Sequence, residues 1–130
     1  MVESVAALLL RSAGVDVAAC KVLDAAPGMA DTVIGFHAQQ ACEKCLKAAL
    51  ATEGAEVPRS HDLLRLIELL DARGIAIPAG ALWIDALNPY AVEARYGMVE
   101  PGKLDRQRTL ATIVEVHEWA CLRLNTDGSA

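Results

Sequence analysis

Between Asp31 and Leu50 the apolar side chains recur at helical spacing. Ile34, Ala38, Cys42, Cys45, Leu46 and Ala49 fall on one arc of a helix turning about 100° per residue. Most of these side chains are small, so whatever covers the arc has to approach closely. The rest of the chain agrees: 54% of residues are hydrophobic but only 4% are aromatic, which leaves Ala, Leu, Val and Ile to build the core. Such a core suits close-packed helices better than a sheet, which draws on β-branched and aromatic residues. At 130 residues the chain has the size of one domain, 1–130, around one core.

Breaks in the pattern divide that domain into helices. "DAAPGMAD" separates a first helical stretch from the second, which Asp31 is expected to cap. "EGAEVPRS" follows, with Ser60 as the expected cap of "HDLLRLIELLDARG" and Gly74 as its stop. Pro78 opens a short helix to Leu87 that Pro89 ends, and "YAVEARYGMVEPGK" reads as a long loop. Asp105 then caps a last helix to about Leu124, and "NTDGSA" reads as a frayed tail. The expected fold is all-α, an antiparallel up-and-down bundle of four to five helices, three long and two shorter.

Some functions are disfavoured at once. A net charge of −5 argues against broad, non-specific nucleic-acid binding, though a local basic patch is compatible with it. "MVESVAALLLRSAG" has Glu3 where a signal peptide is basic, Arg11 interrupts its apolar run, and no run has the length of a membrane span. A cytoplasmic protein is expected, in which the four cysteines stay reduced. The C-x-x-C pair Cys42–Cys45 sits mid-helix on the core arc. It lacks the turn of a zinc knuckle and the helix N-terminus that activates a redox thiol. Buried apolar packing is the expected role, with no metal and no cofactor; a metal or redox centre joining Cys20, Cys121 or His117 is the weaker reading.

The opposite arc of the same helix carries His37, Gln40, Glu43, Lys44 and Lys47, with Val33 and Phe36 among them. The simplest reading is a solvated face with one i,i+4 pair, Glu43–Lys47. Phe36 on that face hints at a partner.

Three segments in order, "FHAQQACEKCLKAAL", "PRSHDLLRLIELL" and "NPYAVEARYG", resemble the HEPN domain family over roughly Asp16 to Leu124. The resemblance implies an antiparallel helical bundle and a homodimer, often encoded beside a minimal nucleotidyltransferase. It also implies nucleotide or RNA binding, and in one branch a toxin ribonuclease neutralised by that partner. Cys42 and Cys45 stand where such domains commonly have alanine. The ribonuclease branch has four to six residues between an Arg and a following His on the last helix, where the His moves a proton and the Arg meets phosphate charge. Here Arg59 is two positions before His61 and Arg108 nine before His117, so the spacing is missing. His117 falls on the apolar stripe of its helix and reads as a core or interface residue.

The expected function is therefore a binding module rather than an enzyme. Nucleotide or RNA contacts are expected from His37, Gln40, Lys44, Arg95, Tyr96, Arg106 and Arg108, the last two from the basic run "KLDRQR". Val33 and Phe36 are the expected dimer contacts. The alternative is a ribonuclease toxin with a non-standard site, for which His37, His61 and Arg95 are the weak catalytic candidates. Arg95 has a structural alternative too, pairing with Glu43.

Overall fold

The computed structural model describes residues 3–92, 96–97 and 103–126. The long helices are α1 (Val5–Ala25), α2 (Asp31–Thr52) and α4 (Arg106–Thr126), with the shorter α3 (Leu63–Asp71) after α2. Two 3-10 segments, Ala79–Ala81 and Ile84–Tyr90, lie between α3 and α4. There is no strand among the described residues, and the all-helical bundle matches the expected class. None of their helices is long and apolar enough to cross a membrane.

Helix α2 forms the centre and touches α1, α3, α4 and the second 3-10 segment. Its small residues make this possible: Gly35, Ala38, Ala41, Ala48 and Ala49 are buried, and so are Cys42 and Cys45. Leu10, Ala13, Val17 and Cys20 of α1 pack on one side, and Ile113, Val116 and Ala120 of α4 on another. The Cys20 thiol donates to the Ile34 carbonyl at 3.5 Å, while Arg106 at the start of α4 reaches Asp24 at the end of α1. Helix α1 is thereby antiparallel to both α2 and α4. His117 is half-buried, as its stripe position implied, and its Nε2–H donates to the Leu10 carbonyl at 3.0 Å.

Three local expectations are corrected by longer-range ties. Ala30, not Asp31, is the N-cap of α2. The Asp31 carboxylate instead accepts from the Leu104 backbone N–H at 3.0 Å and from Arg106 Nε at 2.7 Å, joining the starts of α2 and α4. Asp62, not Ser60, caps α3 through the Leu64 N–H, because His61 is held outside the helix by two bonds to α2. Ser60 accepts from the Asp62 N–H one step earlier. Pro89 does not end a helix at Leu87; the 3-10 segment runs through it to Tyr90, whose ring is buried against the bare backbone of Gly35.

The other boundaries fall close to expectation. Gly74, at φ +75°, ends α3 with paired bonds from its own N–H to Asp71 and from Ile75 to Leu70. Asp105 accepts from the Arg108 N–H at 3.0 Å and caps α4, which extends two residues past Leu124. Of the expected loop, Ala91, Val92, Tyr96 and Gly97 are in turns; Arg95 lies outside the described residues, as do 127–130 of the tail.

Candidate functional site

The outward edge of α2 is not the solvated face its sequence suggested. A carboxylate in an apolar helix is costly unless paired, and Asp16, only 7% exposed, lies in the otherwise apolar run Val15–Ala19 of α1. Its Oδ1 is 2.9 Å from His37 Nδ1, and its Oδ2 accepts from Lys44 Nζ at 2.6 Å. One buried acid thus orients a histidine and a lysine two turns apart on α2.

Glu43, 5% exposed, is the second such centre. Its Oε1 accepts from Gln39 Nε2 at 3.1 Å and its Oε2 from Lys47 Nζ at 3.1 Å. His61 Nδ1 reaches both oxygens, at 3.0 and 3.1 Å. Gln39, fully buried, also donates to the His61 carbonyl at 3.1 Å and accepts from Gln40 Nε2 at 2.7 Å. The Glu43–Lys47 pair therefore exists as the i,i+4 spacing implied, but inside the protein, with its carboxylate already filled by three side chains.

Both histidines present the same chemistry. Nδ1 faces a buried carboxylate, which fixes the ring and leaves Nε2 outside that contact. The His61 side chain is 66% exposed and stands at the rim of a cleft of about 280 Å³ with Asp62, Asn88, Pro89, Ala91 and Val92. Asn88 is structural there: it caps the Leu63 N–H and donates to Asp62. His37, half-buried, borders a hollow of about 360 Å³ with Thr32, Val33 and Phe36.

The remaining candidates are spread out. Arg106 is committed to structure, bonded to Asp31, 3.6 Å from Asp24 and donating to the Met29 carbonyl. Arg108 is exposed, and its guanidinium lies 4.6 Å from the Trp83 ring centroid; the Trp83 indole N–H donates to Thr112 Oγ1 at 3.2 Å. Tyr96 is 68% exposed. The structure thus gathers His37, Gln40 and Lys44 on one edge, with His61 beside it, and places Arg106 and Arg108 at the start of α4. Sequence reasoning missed Asp16 and Gln39 as the groups that orient the edge. The available signal was Asp16 itself, a lone acid within an apolar helical run.

Cys20, Cys42 and Cys45 are buried in the core behind this edge. Burial, together with negative charge on Asp16, pushes the Cys20 thiol up to about 12, and burial does the same for Cys42. Cys45 is raised well above its ordinary value by burial first and by Cys42 second. Among the described residues no three His, Cys, Asp or Glu side chains are grouped to hold a metal ion.

An all-helical bundle whose central helix carries two acid-anchored cationic groups is the class of protein defined so far. The model of the HEPN domain family matches residues 8–124, nearly the whole chain, and the chain belongs to that family of nucleotide-binding and ribonuclease-type domains. No curated protein and no solved structure gives a significant match.

Proposed function

We propose that this HEPN chain is a binding module: a homodimer that takes nucleotide or RNA along the outward edge of α2 and pairs with a minimal nucleotidyltransferase. The setting would be a toxin–antitoxin-type system of the cytoplasm. One observation carries the ligand arm. His37, Gln40 and Lys44 line one edge at i, i+3 and i+7, a span of about 10 Å, and Asp16 fixes the two ends. After its bond to Asp16, Lys44 still has two N–H donors, and His37 keeps Nε2. That is the reach of two consecutive phosphates with a base beyond them. Arg95, Tyr96 and Arg108 are the outlying contacts; Arg106 supports the fold of the same end.

Titration calorimetry with ATP and with a short single-stranded RNA tests this reading. Lys44→Ala and His37→Ala should each weaken binding about 10-fold or more, the usual loss for a charge-assisted contact. Wild-type affinity in both variants would remove the ligand arm. Co-purification with an adjacent-gene nucleotidyltransferase tests the partner arm separately.

A second reading, the ribonuclease with a non-standard site, is favoured by the His61–Glu43 geometry. A histidine oriented by a buried carboxylate at the rim of a cleft is equipped for proton transfer. RNA cleavage by purified protein that vanishes in both His61→Ala and Arg95→Ala supports it. Cleavage unchanged by either substitution dismisses this assignment.

A further inference from the structure

Helix α1 is apolar on the wrong side as well as the right one. Leu10, Ala13, Val17 and Cys20 enter the core, yet Val5, Leu8, Val15 and Val22 on the outward arc are 58, 43, 66 and 70% exposed. A helix that is apolar all round is one that is covered all round, and the described residues of the protomer cover only one side. The outward residues have a period. Leu8, Val15 and Val22 are seven apart, and so are Val5, Ser12 and Ala19 between them, which is the spacing at which one helix lies along another.

The pattern also indicates which helix. Leu8 is seven residues before Val15 and Val22 seven after, so the stripe is symmetric about Val15 and complementary to itself when reversed. Charge does not oppose the pairing. Asp16, beside the centre, is neutralised by Lys44, and Arg11 at the edge is paired with Glu3 at 2.7 Å. Area sets the extent. A helix of 21 residues covers a strip of about 31 by 10 Å, roughly 300 Å², and the smallest stable interfaces need roughly 600 Å² per partner. One helix is too little, so α2 has to contribute. The Cys20–Ile34 and Asp16–His37 contacts set α2 antiparallel beside α1, with Val33 and Phe36 near the Val22 end. Val33 is 38% exposed and Phe36 half-buried.

We infer that this two-helix face seats a second copy of the chain, with the α1 helices antiparallel and crossing at Val15. The arrangement is a closed two-fold interface, Leu8 of one copy opposite Val22 of the other. The inference rests on the dimeric reading above and adds the face, the direction of crossing and the residue on the axis.

Sedimentation equilibrium should give about 28 kDa for the wild type, twice the 13.8 kDa chain. Val15→Glu alters a side chain that is mostly exposed in the protomer, so helicity by circular dichroism should be unchanged. Two carboxylates would then meet on the axis, and dimer dissociation should strengthen at least about 100-fold. Leu82→Glu, at an exposed residue outside this face, should leave the mass unchanged. In a Cys121→Ser background, Val15→Cys should cross-link to itself on oxidation. Leu8→Cys should cross-link with Val22→Cys but not with itself. A dimeric Val15→Glu protein, or self-cross-linking of Leu8→Cys in preference to Val15→Cys, overturns the face while leaving dimerisation standing. A monomeric wild type overturns both. Nucleotide titration of Val15→Glu reads the ligand arm independently.

Discussion

Gly35→Ala separates two physical accounts that predict opposite signs. By helix propensity alone, replacing a mid-helix glycine with alanine should stabilise α2 by about 1 kcal/mol. The structure predicts the reverse. A Cβ on Gly35 would lie 2.2 Å from Tyr90 Cδ1 and 2.5 Å from Cγ and Cε1, and the Tyr90 ring is rigid and 3% exposed. The ring has to retreat by more than about 1 Å to restore ordinary contact, an overpacking that costs about 1–3 kcal/mol. If the ring leaves its slot altogether, the loss approaches that of a buried aromatic, about 3–5 kcal/mol. After subtracting the propensity gain, the variant should be less stable by up to about 2 kcal/mol if the ring only shifts and by about 2–4 kcal/mol if it leaves its slot. In urea, with a slope of about 1–3 kcal/mol/M, the midpoint should fall by roughly 1 M. The double variant Gly35→Ala/Tyr90→Ala should show strong coupling, since without the ring the alanine is free to stabilise the helix. A Gly35→Ala midpoint equal to or above that of the wild type refutes the argument that Tyr90 is seated on Gly35.

Other perturbations test the polar ties and the thiols. Glu43→Gln leaves Lys47 with no counter-charge in a buried position and should cost about 3–5 kcal/mol by chemical denaturation. The hydrogen bond from Arg106 and the backbone N–H of Leu104 hold the Asp31 carboxyl below its ordinary 3.8, so this stabilisation is present above that value and is lost as pH falls below it. Asp31→Asn should accordingly reduce stability at pH 7 and flatten its decline below about pH 4, as read from urea midpoints across pH. In the native protein a thiol reagent at pH 8 should find Cys20, Cys42 and Cys45 unreactive, because burial raises all three, and should label Cys121 slowly at most. All four should react once the chain is unfolded in denaturant.

Much of the fold was legible where one segment holds all the relevant information. The core arc of α2, the Gly74 stop and the Asp105 cap each follow from spacing or backbone chemistry within a few residues. The failures share a cause. Ser60 and Asp62 are both good caps, and the bonds from Glu43 and Gln39 to His61 choose between them from 18 and 22 residues away. Asp31 had the right chemistry for a cap, but its carboxylate is used 73 residues downstream. Glu43 and Lys47 look like a surface pair because the i,i+4 rule does not report what covers them. The candidate edge was half legible: His37, Gln40 and Lys44 were visible on one arc, whereas the acid that fixes their geometry is contributed by another helix.

The ties of α4 also bear on the order in which the chain assembles. Contacts between α1 and α2 begin at a separation of 14 residues, as at Cys20 and Ile34. Helix α4 is fastened over far longer spans: 73 residues at Asp31–Leu104, 70 at Glu53–Arg123 and 107 at Leu10–His117. On loop-closure entropy alone, the last costs about 1.8 kcal/mol more than the first. An α1–α2 hairpin is therefore the early event and α4 docking the late one. Weakening the α4 ties should mainly speed unfolding, while damage between α1 and α2 should slow the search for the native state.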